Sequence, residues 1–336
     1  MTPLLARLLV RWEAFLLLVL VVVVVWGAQL SKYFATASNV SIALASMTPT
    51  GIVALSMTLV IIAGEIDISV GSIVGLCASI MAVCLEQGLP VEAAMVAGVL
   101  VGMLAGLLNG LIIVGFGLPS LVVTIGTLAL YRGVAQIVLK ERGVSNFPEW
   151  YQNIGFGTIG GTPIPWNSIL FIVLFIGFAV YLHGTHWGRA LYAIGNNREA
   201  ARFSGIDVQR TVLGAFVVSG VMSSLAAIVL TAYLASARSD TAIGLELPVI
   251  TAVVLGGVNI FGGSGTISGV LIALLVLAFV QNALGLAGMT PEEQKVVTGA
   301  VLIATLVIFS AAGVVQRLPV ASFVRRIAGR ERRAGG

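Results

Sequence analysis

Ten stretches of mostly apolar residues alternate with short polar or glycine-rich joins along the chain. Most of these stretches are about 17 to 25 residues long, which is the length at which an apolar helix crosses the hydrocarbon core of a membrane. The pattern predicts ten membrane segments, of which the third and the eighth are short enough to be broken or re-entrant. The predicted segments are 12–30, 40–63, 70–85, 91–114, 119–139, 168–184, 211–235, 247–260, 266–287 and 295–314.

Glycine, proline and polar residues mark the joins, for example GEIDIS at 64–69 and GGVNIFGGSG at 256–265. Short motifs also recur: LLNGL at 107–111 is similar to VQNAL at 280–284. The segments that carry this pair run in opposite directions in the predicted topology. An inverted repeat, as in many transporters, and chance similarity among small apolar residues both stay open as explanations.

Composition excludes a soluble globular protein. Hydrophobic residues make up 58% of the chain, charged residues make up 10%, and the mean hydropathy is +1.07, whereas soluble domains contain about 25% charged residues. The predicted fold class is therefore an all-α polytopic membrane protein, organised as a single transmembrane domain over 1–336. The first apolar run is longer than the apolar region of a usual signal peptide and lacks a small-x-small cleavage site, so we expect a retained helix.

The distribution of lysine and arginine predicts the orientation, because cytoplasmic loops are richer in these residues. With the N-terminus inside, twelve of the 18 lie in cytoplasmic segments, five lie outside and Arg132 lies within the fifth segment. Both termini, the loop at about 185–210 and the basic tail at about 315–336 are then cytoplasmic. The net charge of +4 is thus a topology signal and not a nucleic-acid footprint.

The stretch IGNNREAARFSGI at 194–206 is a charged island in this apolar chain. The run from Arg198 to Arg202 favours a helix, Asn196 or Asn197 is a residue type that caps its start, and Gly205 is one that ends it. A helix of about two turns is marginal in water without a tertiary partner. The sequence leaves two interpretations, a solvated interfacial helix and a surface that another protein binds.

Glu65 and Asp67 place two carboxylates at the end of the second segment, beside Ser69. Charged groups within hydrocarbon are costly and are usually functional. Three interpretations stay open for this pair: hydrogen bonding to the hydroxyls of a solute, capping of the next helix by Asp67, and proton relay.

Neutral polar residues within apolar segments are the second set of candidates. They suit a path for an uncharged solute and equally suit hydrogen bonds between packed helices. This set comprises Asn109, Ser120, Thr124, Thr127, Asn259, Ser264 and Gln281.

Two further features have open interpretations. Arg132 snorkels or pairs with a carboxylate such as Glu65, and His183 and His186 have the spacing of a metal site but no acidic or cysteine partner nearby.

Several of these motifs together resemble one family. The spacing E-A-A-x3-G from Glu199 to Gly205 is similar to the coupling loop of ABC importer permeases, and the resemblance extends over nearly the whole chain. The motifs GEIDISVGS at 64–72, PSLVVTIGTLALYRG at 119–133 and ITAVVLGGVNIFGGSGTISG at 250–269 resemble the ribose-type sugar permeases. ASARSD at 235–240 is most similar to the rhamnose and autoinducer-2 branch. Glu65 departs from the family, in which many members have glycine.

The resemblance implies a permease fold similar to that of type II importers and an ATPase subunit that binds the island. The implied coupling residues are Asn197, Arg198, Glu199, Ala200, Ala201, Arg202, Ser204 and Gly205. The candidates for the translocation path are Glu65, Asp67, Ser69, Asn109, Ser120, Thr124, Thr127 and Asn259. No catalytic residue and no metal ligand is expected.

The expected function is to form the path for a monosaccharide or small polyol, rhamnose-like or autoinducer-2-like, across the bacterial inner membrane. The chain contains no G-x-x-x-x-G-K-[ST] motif, so ATP and Mg²⁺ are expected on a separate ATPase subunit. The other expected partners are a periplasmic solute-binding protein, a second permease subunit (identical or paralogous) and membrane lipid. The alternative is a stand-alone secondary transporter that uses Glu65 or Asp67. An intramembrane enzyme lacks support, because no H-E-x-x-H motif is present.

Overall fold

The computed structural model describes residues 12–140, 142–160 and 162–317, with the backbone alone for 308–317. Within these ranges the chain forms helices and one antiparallel ladder of two short strands, in which Gly143 lies opposite Arg238. The helices are α1 Trp12–Leu30, α2 Ala37–Ile62, α3 Val70–Glu86, α4 Val91–Phe116, α5 Ser120–Leu139, α6 Glu149–Phe156, α7 Trp166–Gly184, α8 His186–Asn196, α9 Arg198–Phe203, α10 Val208–Leu234, α11 Glu246–Leu255, α12 Ile267–Leu286 and α13 Pro291–Arg317; the strands are β1 Gly143–Val144 and β2 Ala237–Arg238.

Every predicted membrane segment contains a helix, which confirms the all-α polytopic fold. Seven of the helices are long and apolar enough to span a membrane, namely α1, α2, α4, α5, α7, α10 and α12. The predicted end of the eighth segment at 260 was wrong, because α11 ends at Leu255 and a glycine-rich turn follows. With 10 residues, α11 is about 15 Å long, roughly half of the hydrocarbon thickness. It therefore cannot span the membrane alone.

One end of the helix bundle collects α9 and the joins that precede α3 and α12. The backbone N–H of Gly263 donates to the carbonyl oxygen of Ile62 at 2.9 Å, and Asn196 Nδ2 donates to the carbonyl oxygen of Gly263 at 3.0 Å. Trp12 Nε1 donates to the carbonyl oxygen of Leu255 at 2.8 Å. We call this the α9 end. The segment ends that meet here are ones that the predicted topology places on the same side of the membrane.

The opposite end of the bundle holds the β1–β2 ladder and α6. Asn39, at the start of α2, donates to Asn282, near the end of α12, at 2.8 Å. Arg142 pairs there with Glu86 at 3.0 Å. Asn109, the residue that the possible repeat matches to Asn282, lies toward the α9 end of α4. The inverted repeat itself stays a prediction.

Glycines bring α4 and α10 into close contact. Gly98, Gly102, Gly106 and Gly110 recur every fourth residue of α4. A Cβ atom at Gly106 would lie 3.0 Å from the backbone nitrogen of Gly220 on α10, and one at Gly220 would lie 2.9 Å from Gly106 Cα. Because glycine lacks a side chain, the two backbones approach as they do in G-x-x-x-G helix pairs.

Gly220→Ala is expected to lower the stability of the chain, because the added methyl group meets the α4 backbone, which cannot move aside as a side chain would. Overpacking of this kind costs about 1–3 kcal/mol. Gly214→Ala is the matched control on the same helix, since no atom lies within 4 Å of its Cβ position. The measurement is the thermal midpoint of each purified variant in detergent, and equal midpoints would contradict the account of the α4–α10 contact.

Candidate functional site

The charged island forms the short helix α9 with the ends that its sequence predicts. Asn197 caps the start, because its Oδ1 atom accepts from the backbone N–H of Ala200 at 2.9 Å. The preceding residue, Asn196, instead donates to the carbonyl oxygen of Tyr192. Gly205 ends the helix with φ +82°, a left-handed conformation that glycine adopts without strain.

Most of α9 faces away from the bundle. Of the eight predicted coupling residues, only Ala201 is buried, and it packs in the main apolar core. Glu199 and Arg202 are exposed, and Phe203 is 91% exposed, the largest value among the exposed large hydrophobic side chains. A short helix that packs on the core through one face and exposes the other to solvent has the geometry of a protein-binding surface.

An ion pair joins α9 to the turn that follows α2. Arg198 Nη1 lies 2.7 Å from Glu65 Oε1, and the Glu65 side chain is only 6% exposed whereas that of Arg198 is 53% exposed. The interpretation in which Arg132 pairs with Glu65 was wrong. Arg198 of α9 occupies that place.

Asp67 lies at the centre of a buried polar cluster. Its Oδ1 atom accepts from the backbone N–H of Ser69 at 3.0 Å and from Ser69 Oγ at 2.6 Å, and its Oδ2 atom accepts from Ser219 Oγ at 2.9 Å. Asn109 Nδ2 donates to Ser69 Oγ at 2.8 Å, and Tyr131 OH donates to Asn109 Oδ1 at 3.0 Å. The cluster joins the turn before α3 to α4, α5 and α10 around one carboxylate.

The predicted path candidates on α5 lie beside this cluster. Ser120 Oγ accepts from the backbone N–H of Ile66 at 3.0 Å, and Thr124 Oγ1 donates to the carbonyl oxygens of Ser120 and Ile66 at 2.8 and 3.3 Å. Thr127 donates to the carbonyl oxygen of Thr124 at 3.4 Å. These side chains are buried and hydrogen-bonded to protein atoms, so their assignment to a solute path stays a prediction.

Three of the neutral polar candidates lie away from the cluster. Asn259 is exposed in the turn after α11, where its Oδ1 atom accepts from the backbone N–H of Phe261 at 3.1 Å. Ser264 lies in the same turn and accepts from the Asn259 backbone at 3.0 Å. Gln281 donates to Thr298 at 3.4 Å. Asn259 is thus the one path candidate that the structure separates from the other seven.

Sequence reasoning missed two members of the cluster, Tyr131 and Ser219. Both are polar groups in long apolar helices, so the signal was present in the sequence. No short-range sequence pattern connects either residue with Asp67, and Ser219 is separated from it by 152 residues.

Arg132 holds a loop and does not pair with Glu65. Its guanidinium donates to the carbonyl oxygens of Ser239 at 2.7 Å, Thr241 at 2.9 Å and Gly71 at 3.2 Å. The loop between α10 and α11 thereby packs against the first turn of α3. It includes two alanines in the left-handed region, Ala235 at φ +50° and Ala242 at φ +63°.

On the exposed side of the same loop, Arg238 donates to Asp240 at 2.9 Å. This hydrogen bond and the charge of the Asp240 carboxylate raise the pKa of the Arg238 guanidinium.

An open cavity of about 540 Å³ lies between α9 and the end of α4. Its apolar wall comes from the end of α4, with Ile113, and from the join that follows, with Leu118; its charged wall carries Arg198, Glu199 and Arg202. The cavity thus opens beside the exposed face of α9.

The ring of His183 lies 6.5 Å from that of Tyr192, in a stacked arrangement. Among the residues that the structure describes, no group of three or more His, Cys, Asp or Glu side chains is placed to hold a metal ion.

Comparison with known families places the chain among transport proteins. Residues 39–306 match the family described as branched-chain amino acid transport system / permease component. No solved structure matches the chain.

Curated relatives are similar over most of their length. The autoinducer 2 import system permease protein LsrD of Photorhabdus luminescens is 37% identical over 263 residues, covering 76% of this chain and 78% of the relative. The LsrD proteins of Escherichia coli O9:H4 (strain HS) and Shigella flexneri are each 36% identical over 302 residues, covering 88% of this chain and 91% of theirs.

Proposed function

This chain belongs to the family of permease components of branched-chain amino acid transport systems, and on that basis we propose that it is the membrane-spanning permease subunit of an ATP-driven importer, with α9 as its coupling helix. The chain is a multi-pass membrane protein and a transport subunit, not an enzyme. The finer assignments below rest on the geometry of the α9 end.

The exposed face of α9 is the observation that carries the proposal. Capping by Asn197 and burial of Ala201 fix the helix on the bundle, while Glu199, Arg202 and Phe203 point away from it. Aromatic and arginine side chains dominate the binding energy of many protein interfaces. The cavity beside α9 adds a concave surface to the exposed helix. The exposed face of α9 and this cavity together suit a partner protein that binds the helix and displaces it.

The partner at this surface is an ATPase subunit in our proposal. The 336 residues contain no P-loop motif, so ATP and Mg²⁺ bind to that separate polypeptide and the permease needs no cofactor. A periplasmic binding protein delivers the solute to the opposite end, and a second permease, identical or paralogous, completes the path. The complex lies in the bacterial inner membrane with both termini in the cytoplasm, in agreement with the excess of arginine there.

The solute is a small polyhydroxylated molecule, a monosaccharide or one resembling the autoinducer 2 that the LsrD relatives import by name. Neutral hydroxyl and amide groups suit such a solute because they bind it without holding it tightly. Seven of the eight path candidates are buried in and around the Asp67 cluster. We propose that the neutral members of this set reach the solute when the helices around the cluster separate.

Phe203→Ala is expected to lower the amount of ATPase that stays bound to the purified chain by about tenfold, because a bare aromatic is a typical interface anchor. The measurement is affinity purification of the tagged chain in mild detergent, with a P-loop ATPase identified and quantified by mass spectrometry. Phe156→Ala is the matched control, since Phe156 is 49% exposed and belongs to α6 at the opposite end of the bundle.

Two results contradict this proposal. Equal retention of the ATPase by Phe203→Ala and Phe156→Ala would remove α9 from the interface. A chain that purifies without an ATPase and takes up solute in vesicles without ATP would instead support the stand-alone secondary transporter.

A further inference from the structure

The ion pair between Glu65 and Arg198 connects two parts of the chain that are 133 residues apart. Glu65 is almost completely buried, and Arg198 is its one ion-pair partner among the described residues. Removing the partner of a buried charge leaves that charge uncompensated, which is strongly unfavourable. A displacement of α9 therefore either carries Glu65 with it or exposes the carboxylate to that penalty.

Glu65 is in turn fixed to the membrane helices through its neighbours in the chain. Its own backbone N–H donates to the carbonyl oxygen of Val60 at 3.1 Å. The next residue, Ile66, binds Ser120 and Thr124 in the first turns of α5. The residue after that is Asp67, which contacts α10 through Ser219. Three consecutive residues thus link α9 to α2, α5 and α10.

A second contact anchors the same region without charge. Asn196 donates to the carbonyl oxygen of Gly263, and the backbone N–H of Gly263 donates to the carbonyl oxygen of Ile62. This connection holds α8 beside the end of α2 when the ion pair is absent. Variants of the ion pair are therefore expected to keep the fold.

We propose that Glu65 is a positioning residue: through its ion pair with Arg198, it transmits the displacement of α9 to the first turns of α5 and to the Asp67 cluster. The inference rests on the proposed function, because it assumes that a partner moves α9. It also gives Glu65 a role other than contact with the solute. In this proposal the turn 63–69 moves together with α9, because the ion pair connects the two.

Hydrogen exchange of the purified full-length chain tests the link without any partner. Arg198→Gln is expected to speed exchange of the backbone amides in 63–70 by about tenfold, because the turn loses its attachment to α9. Glu65→Gln is expected to give a smaller increase, because it removes the buried charge together with the ion pair, and the double variant should not exceed Arg198→Gln alone. Arg202→Gln removes the same charge from the same helix without contacting Glu65, and exchange in 63–70 should match that of the unmodified chain.

Transport measurements then separate the link from the proposed function. In membranes that contain the ATPase, Glu65→Gln, which changes only the buried partner of the ion pair, is expected to retain the ATPase yet to import about tenfold less solute per ATP hydrolysed. Unchanged exchange, increases that multiply in the double variant, or unchanged uptake per ATP would each overturn the inference. If the unmodified chain binds no ATPase, the proposed function fails, and the exchange measurements still decide whether the ion pair holds the turn.

Discussion

Glu199→Lys is expected to reduce ATP-driven uptake by at least about tenfold, the factor that corresponds to a loss of about 1.4 kcal/mol of interaction free energy. Glu199 is exposed in the first turn of α9, where an acidic side chain also interacts favourably with the helix dipole. Reversing its charge changes the face that the ATPase would bind and leaves the anchors Ala201 and Arg198 in place. The measurement is uptake of labelled solute into cells that express the complete importer.

Two controls define what the Glu199 result means. Membrane insertion of Glu199→Lys should be unchanged and its thermal midpoint only slightly lowered, because the exposed side chain loses no more than its favourable interaction with the helix dipole. Glu92→Lys makes the same change at an exposed position in the first turn of α4, at the opposite end of the bundle. It should keep the ATPase bound. Uptake at the normal rate in Glu199→Lys would refute the role of α9 as the coupling helix.

Asp67→Ala is expected to be the most destabilising single substitution considered, at roughly 2–5 kcal/mol. The carboxylate accepts three hydrogen bonds in a site with no solvent exposure. Alanine leaves the backbone N–H and hydroxyl of Ser69 and the hydroxyl of Ser219 without that acceptor. The measurement is the thermal midpoint of the purified chain in detergent.

Asp67→Asn separates the hydrogen bonds from the charge. Its carbonyl oxygen can accept from Ser69 as the carboxylate does, and its amide can donate to Ser219, whose hydroxyl rotates to accept. We therefore expect a much smaller loss of stability than for alanine. Asp207→Ala removes an exposed carboxylate that caps α10 by accepting from Arg210 at 3.0 Å, and should cost about 0.5–2 kcal/mol. Equal midpoints for Asp67→Ala and Asp207→Ala would contradict the account of the cluster.

The presence of a helix in each predicted segment and the position of α9 followed from the sequence, because both depend on residues close together in the chain. Runs of apolar residues determine where a helix can cross a bilayer. The ends of α9 depend on Asn197 and Gly205, which cap it through bonds to residues at most a few positions away. The sequence also identified Asp67, Ser69 and Asn109 as candidates, since polar groups in apolar segments are visible without a structure.

The partners of these groups were decided only by the tertiary structure. Glu65 binds Arg198, Asp67 binds Ser219, and Arg132 binds the carbonyl oxygens of a loop more than 100 residues away. Composition allowed Glu65 to pair with Arg132 as readily as with Arg198, because charge and hydropathy do not encode which helices are neighbours. Helix packing, set in part by the glycines of α4 and α10, brings these side chains together. The sequence by itself therefore determined which groups are unusual in this protein, and the packing determined which of them act on one another.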